Sequence, residues 1–215
     1  VVAVPASLPD FDCGFCGKRL EGGLAPHLCG VCGAPQPRHP GESFFTALSA
    51  PLAFSQEGAA LQRRFYELSR ALHPDRFARS EARVRQASLE RMSFLNEAFD
   101  FLRSRDQIRE HLFSSFGISC GGGGGTWMME LSERWFEVQE SEDPAAIAAF
   151  EVELLHKQQF LAEKIEALEA RFDGLAAGAE QRGVLEEMQS LGLSQNTLKS
   201  MIRDVQRLKV RMGLG

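Results

Sequence analysis

No stretch of this chain approaches the about 20 consecutive apolar side chains that a bilayer-spanning helix needs. The opening Val1-Val2-Ala3-Val4 breaks at Pro5 with no basic residue ahead of it, so the pattern of a secretory leader is missing. The expected location is the cytoplasm, or the mitochondrial matrix where a targeting segment has been removed. Surplus positive charge is missing too. Against 24 Lys and Arg stand 29 Asp and Glu, a net charge of −5, whereas a general nucleic-acid binder needs cations that displace counterions from phosphate. The five glycines at 121–125 are followed by Thr126 and Trp127, not by the Lys-Ser/Thr of a phosphate-cradling loop. They read as a flexible linker. No repeat of solenoid length is present. No nucleophile is supplied with a general base, and the chain is expected not to be an enzyme.

What remains is a folded chain, 44% hydrophobic and 25% charged, with room for one or two small cores in its 215 residues. Its charge is unevenly spread. Residues 44–116 carry 11 basic and 9 acidic groups, and residues 117–215 carry 10 and 16, so the middle is +2 and the C-terminal part −6. Such asymmetry predicts modules that face different partners. Pro35, Pro37, Pro40 and Gly41 punctuate the chain as a first linker and the glycine tract as a second. The resulting domains are 1–41, 42–118 and 127–215, with the second linker at 119–126.

Cysteine is scarce after residue 32. Four of the five fall as Cys13-Gly-Phe-Cys16 and Cys29-Gly-Val-Cys32. Two residues between thiolates let one tight turn present both sulfurs to one ion, and two such turns complete a tetrahedron. Gly17 and Gly33, directly after each pair, suit the positive φ that turns backbone N–H groups toward sulfur. The pattern predicts one structural zinc held by Cys13, Cys16, Cys29 and Cys32, with iron in the same tetrahedron as the alternative. His27 is a substitute ligand that four thiolates make unnecessary, and Cys120 reads as an exposed thiol.

Between Gln56 and Leu72, apolar residues recur at Leu61, Phe65, Leu68 and Leu72, which predicts an amphipathic helix with Arg63, Arg64, Glu67 and Arg70 opposite. A second helix is predicted from Glu81 to Arg103, burying Val84, Met92, Leu95, Phe99 and Leu102, and the two should pair as an antiparallel hairpin. Pro74 restrains His73 from helix, so the first should end near Leu72 and His73-Pro74-Asp75 should sit on an exposed turn. This arrangement resembles the J-domain family, defined by His-Pro-Asp between antiparallel helices. Phe44-Phe45-Thr46-Ala47-Leu48, Arg64-Phe65-x-x-Leu68-x-Arg70 and Leu95-Asn96-Glu97-Ala98-Phe99 resemble the family's other segments, while Arg105-Asp106 replaces its common Asp-Pro. The resemblance implies docking on a DnaK-class chaperone and stimulation of its ATPase, through Arg64, Arg70, His73, Pro74, Asp75 and Arg76.

After the glycines, Met128, Leu131, Trp135 and Val138 form one helical stripe, and Met129, Glu133 and Phe136 a second beside it. A helix apolar on two sides buries one in its own bundle and either buries or offers the other. A long helix from Pro144 through Phe172 and a last one around Leu198, Met201, Val205 and Leu208 complete an expected antiparallel three-helix bundle. The whole is predicted mainly α, with a zinc-ribbon-like start. Cysteine tetrad, J-domain and acidic bundle together resemble the HscB family of iron–sulfur co-chaperones, in its form with an N-terminal zinc-binding extension. That resemblance implies an HscA-type chaperone and the scaffold IscU as partners, with Met128, Met129, Glu133 and Phe136 touching the scaffold. Ser132 stands where a large apolar residue is usual, and Thr197 near an expected aromatic. A generalist J-protein and a zinc-ribbon nucleic-acid adaptor are the alternative readings, and self-association as a homodimer is left open.

Overall fold

The computed structural model describes residues 8–21, 27–118, 126–176 and 178–214, and these are mainly helical. The expected linker at 121–125 and Cys120 lie outside them. The chain divides into two compact units, Val1–Phe116 and Gly117–Gly215. No helix among the described residues is long and apolar enough to cross a membrane.

The first unit starts with a two-stranded antiparallel ribbon, β1 (Phe11–Asp12) and β2 (Arg19–Leu20), in which Phe11 pairs with Leu20. Helix α1 (Phe44–Ala47) is short and depends on its capping box. The Thr46 N–H donates to Ser43 Oγ at 3.1 Å, and the Ser43 N–H donates to Thr46 Oγ1 at 2.9 Å. Helices α2 (Gly58–Leu72) and α3 (Ala82–Leu102) form the expected hairpin. Their antiparallel register is fixed at both ends: Phe65 stacks on Phe99 with ring centroids 4.3 Å apart, and Ser88 Oγ donates to the Leu72 carbonyl at 2.6 Å. Helix α4 (Arg105–Ser115), which the sequence reading did not include, begins at the Arg105-Asp106 pair. Ser104 caps it by accepting the Gln107 N–H at 3.3 Å, and Asp106 in the first turn suits the helix dipole. Leu72, Leu95, Leu102, Ile108 and Leu112 fill the core between these helices.

Two expectations are corrected here. Of the residues assigned to the buried side of the second helix, Leu95 and Leu102 are buried, but Val84, Met92 and Phe99 are only half-buried. The buried row of α3 runs through Ala87, Ser88, Arg91, Phe94, Leu95, Ala98 and Leu102. Small side chains at 87, 88 and 98 let the facing helix approach closely, and Arg91 enters the row because Glu42 and two backbone carbonyls elsewhere in the chain compensate its buried charge. The segment 35–41, expected as a linker, is held down and does not run free. Gln36 is fully buried and donates its N–H to the His27 carbonyl at 2.9 Å. The Arg38 guanidinium lies over the Phe94 ring, 4.2 Å from its centroid. Proline stops regular structure here, but its neighbours' carbonyls remain available as acceptors, and α3 uses them.

In the second unit, α5 (Thr126–Ser141), α6 (Pro144–Asp173) and α7 (Ala179–Arg211) run up, down and up. Asp143 caps α6 by accepting the Ala145 N–H at 3.0 Å, with Pro144 in the first turn. Trp135 of α5 stacks on Phe150 of α6 with centroids 5.7 Å apart, and Lys209 of α7 reaches Glu151 of α6 at 2.8 Å. The shared core contains Leu131, Trp135, Ile147, Phe150, Leu154, Leu198 and Val205. At 1.5 Å per residue, α6 and α7 are about 45–50 Å long and α5 about 24 Å, so α5 covers only one half of the α6–α7 hairpin.

Candidate functional site

Three places gather the residues that carry chemistry. The first is the four-cysteine centre. Cys13 and Cys29 each open a turn that closes by the same hydrogen bonds. Gly17 N–H donates to the Cys13 carbonyl at 3.0 Å, and Gly33 N–H to the Cys29 carbonyl at 2.9 Å. Both glycines have the positive φ the turn demands, 71° and 72°. The two turns bring all four Sγ atoms within 4.8 Å of one another, with Cys13–Cys32 and Cys16–Cys29 at 3.7 Å. The sulfurs are free thiols. With metal–sulfur bonds of about 2.3 Å, a tetrahedron has edges of about 3.8 Å, so the site fits a tetrahedral ion.

Backbone donors aim at the sulfurs from inside each turn. Phe15 N–H lies 3.4 Å from Cys13 Sγ, and Val31 N–H 3.4 Å from Cys29 Sγ. Burial pushes the Cys13 thiol up, but the N–H groups of Cys16 and Phe15 and the neighbouring thiols outweigh it and bring it down to about 6. At Cys32 the Ala34 N–H pulls down, while burial and the three other thiols push it up to about 12. Four crowded thiols therefore do not all ionise unless a cation joins them. His27 is not among them. It is buried, and burial first, then the charges of Arg91 and Arg64, push its imidazole down to about 3, with only the Ala47 carbonyl opposing. Neither ring nitrogen makes a hydrogen bond among the described residues.

The second place is the turn after α2. The helix ends at Leu72, and Pro74–Phe77 form a single 3-10 turn. The Asp75 N–H donates to His73 Nδ1 at 3.3 Å, which leaves the proton of a neutral ring on Nε2. The Asp75 side chain is 91% exposed and that of His73 54%. Arg70 and Arg76 are exposed on either side. Arg64 differs from the outward placement expected for it. It is half-buried, its Nε is enclosed with no hydrogen-bond partner among the described residues, and Nη1 stands 3.8 Å from Glu67. Six residues of helix, a rise of about 9 Å, separate it from Arg70.

The third place is the outer face of α5. Met128, Leu131, Trp135 and Val138 are buried, whereas Met129 is 68% and Phe136 64% exposed. Met128, Met129, Ser132, Glu133 and Phe136 line one shallow hollow of about 340 Å³. Ser132 keeps it open, because its hydroxyl bonds back to the Met128 carbonyl at 2.9 Å. Of the four residues named from the resemblance, Met128 belongs to the core and supplies only the floor. Thr197 is exposed on α7 and donates to the Leu193 carbonyl at 3.2 Å.

Sequence reasoning missed Arg91. Its side chain is 1% exposed and that of Glu42 0%, and the two form an ion pair. Arg91 Nε also donates to the Gln36 carbonyl at 2.9 Å, and Nη2 to the Pro37 carbonyl at 2.7 Å. The available signal was its place at helical spacing within the row 87, 88, 91, 94, 95, 98.

No family model matches the chain. It is 31% identical over 129 residues to the co-chaperone protein HscB homologue of Vibrio atlanticus, covering 75% of that protein and 55% of this chain. To the Vibrio cholerae homologue it is 27% identical over 149 residues, covering 87% of that protein and 65% of this chain. The crystal structure of human co-chaperone protein HscB matches with a TM-score of 0.56 over 87% of this chain and 96% of that one, a likeness of fold at 22% identity. An exposed His-Pro-Asp turn between antiparallel helices, in a chain with a second helical unit, is the architecture of a J-type co-chaperone. The chain belongs to the HscB co-chaperone family.

Proposed function

We propose that this chain stimulates the ATPase of a DnaK/HscA-type chaperone and delivers an IscU-type scaffold to it in iron–sulfur cluster assembly. The observation that carries the reading is the solvent-facing His73-Pro74-Asp75 turn in a member of the HscB family. Asp75, almost wholly exposed with its carboxylate 3.5 Å from His73 Nδ1, is an accessible charge-assisted acceptor, and the exposed Arg70 and Arg76 on either side are accessible donors. Such groups steer encounter with a partner of mixed charge more than they add affinity. Arg64, half-buried, contributes less. The hollow on α5 supplies the scaffold-binding side, with Met129 and Phe136 as apolar anchors and Glu133 as the acidic rim. In the cysteine centre zinc suits four thiolates in a closed tetrahedron, which leaves no open position for catalysis and gives the ion a folding role.

The test is chaperone ATPase measured with and without scaffold. His73→Gln is expected to abolish stimulation while helix content and melting temperature stay nearly unchanged, since an exposed turn residue contributes little to the core. Full stimulation by this variant would overturn the reading. Stimulation that is indifferent to every iron–sulfur scaffold tried would leave a generalist J-protein.

A further inference from the structure

We infer that the four-cysteine module is a metal-dependent clamp on the α2–α3 hairpin, and that Arg91 is the positioning residue through which metal loading reaches the His-Pro-Asp turn. The inference rests on the reading of the tetrad as a metal site.

Arg91 sits on the core-facing side of α3, and its partners Gln36, Pro37 and Glu42 lie in the segment that leaves the second cysteine turn. That segment is tied back to the turn without a break. Cys29 N–H donates to the Ala34 carbonyl at 2.9 Å, Gln36 Nε2 to the same carbonyl at 2.9 Å, and Gln36 N–H to the His27 carbonyl. The first cysteine turn makes its own contact with α3. Arg83 Nη2 reaches the Gly14 carbonyl at 3.4 Å, and its guanidinium lies over the Phe15 ring at 5.7 Å. On the far side, Ser88 lies on α3 one turn before Arg91, and its hydroxyl holds the Leu72 carbonyl, the last residue of α2 before His73.

The module cannot hold itself together. Among the described residues its buried apolar cluster is Cys13, Leu20 and Cys29 with Phe11 and Phe15 packed alongside, and its strand pairing amounts to one two-residue ribbon and a single isolated bridge between Leu28 and Pro35. A segment this small depends on its ion to fold. Without the ion, 34–42 is released and Arg91 is left as a charged guanidinium in the core of α3 with its acceptors gone. A buried charge without partners is not tolerated, so α3 must open locally to let it reach water. Opening at Arg91 loosens Ser88 and with it the anchor of the His-Pro-Asp turn. Metal status of the module thereby sets how firmly that turn is presented.

The experiment is amide hydrogen exchange on the full chain, zinc-loaded and after removal of zinc by a chelator, with native mass spectrometry recording metal content in parallel. Stripping is expected to speed exchange in α3 around Ser88–Arg91 by about 100-fold or more, as expected when a buried charge loses its partners. In Arg91→Met, where no charge needs rescue, loaded and stripped forms should exchange within about threefold of each other in α3. Glu42→Gln keeps a neutral acceptor and serves as the second variant, with an intermediate dependence expected. Unchanged α3 protection in stripped wild type, or the same metal dependence in Arg91→Met, would overturn the inference while the metal site itself stood. A chain that binds no metal in the loaded arm would instead remove the tetrad reading.

Discussion

At the scale of single residues, the positions that matter most in the first unit are polar side chains placed where apolar ones are expected. Arg91 and Glu42 are buried together because each supplies what the other lacks, and two carbonyls accept further guanidinium protons. His111 is a different case. It is half-buried against the Phe45 and Phe101 rings, its Nε2 has no hydrogen-bond partner among the described residues, and burial lowers its pKa. The folded state thus binds fewer protons here than the unfolded one at mildly acidic pH, where an unfolded imidazole titrates near about 6.5. The stability His111 allows is complete above that value and declines as pH falls through its lowered folded pKa. Denaturant midpoints of α4, followed by hydrogen exchange at pH 7.5 and 5.5, should therefore drop with acid in the wild type. His111→Phe, which can pack on the same two rings, should show a smaller drop; equal acid sensitivity would remove His111 as a cause.

At the scale of elements, α5 shows how one helix turns one apolar stripe into its bundle and leaves the other exposed. Both of its stripes are apolar at helical spacing, so periodicity alone assigns neither. Packing against α6 decides it, because Trp135 stacks on Phe150 and Arg134 pairs with Glu153 at 2.7 Å, which turns Met129 and Phe136 outward. Trp127 and Trp135 are the two tryptophans of the chain and both belong to the second unit, so their fluorescence reports its unfolding alone. Phe150→Ala, at a wholly buried site, should cost about 3–5 kcal/mol by lost transfer and cavity terms. Met129→Ala with Phe136→Ala should shift the same transition by no more than about 1 kcal/mol, since side chains already in water lose little burial. Calorimetry on that double variant should find scaffold binding greatly weakened. Unaltered affinity in the folded protein would move the docking face elsewhere.

At the scale of the whole molecule, each of the two units has its own core, and the four-cysteine cluster belongs to the first. Cys13→Ser with Cys16→Ser should abolish binding of about one zinc per chain while tryptophan-reported unfolding of the second unit stays put. A falling second-unit midpoint would contradict that separation. Much of this organisation was legible without coordinates wherever the physics is short-range. Two residues between cysteines set how one turn presents sulfur, a proline after His73 ends a helix, and apolar spacing of three and four marks a buried stripe. The sequence by itself thus determined the mainly helical class, the four-sulfur cluster, the turn that carries His73 and Asp75, and the extent of the hairpin helices to within a few residues. Tertiary structure alone decided the rest. Arg91 finds its partners 55, 54 and 49 residues away, His27 is buried in the core, and Arg64 tucks inward from a face that reads as basic and open. A long polar side chain can satisfy its hydrogen bonds in water or in the protein with nearly equal free energy. Its choice depends on which acceptors the folded chain brings within reach, and no local pattern records that.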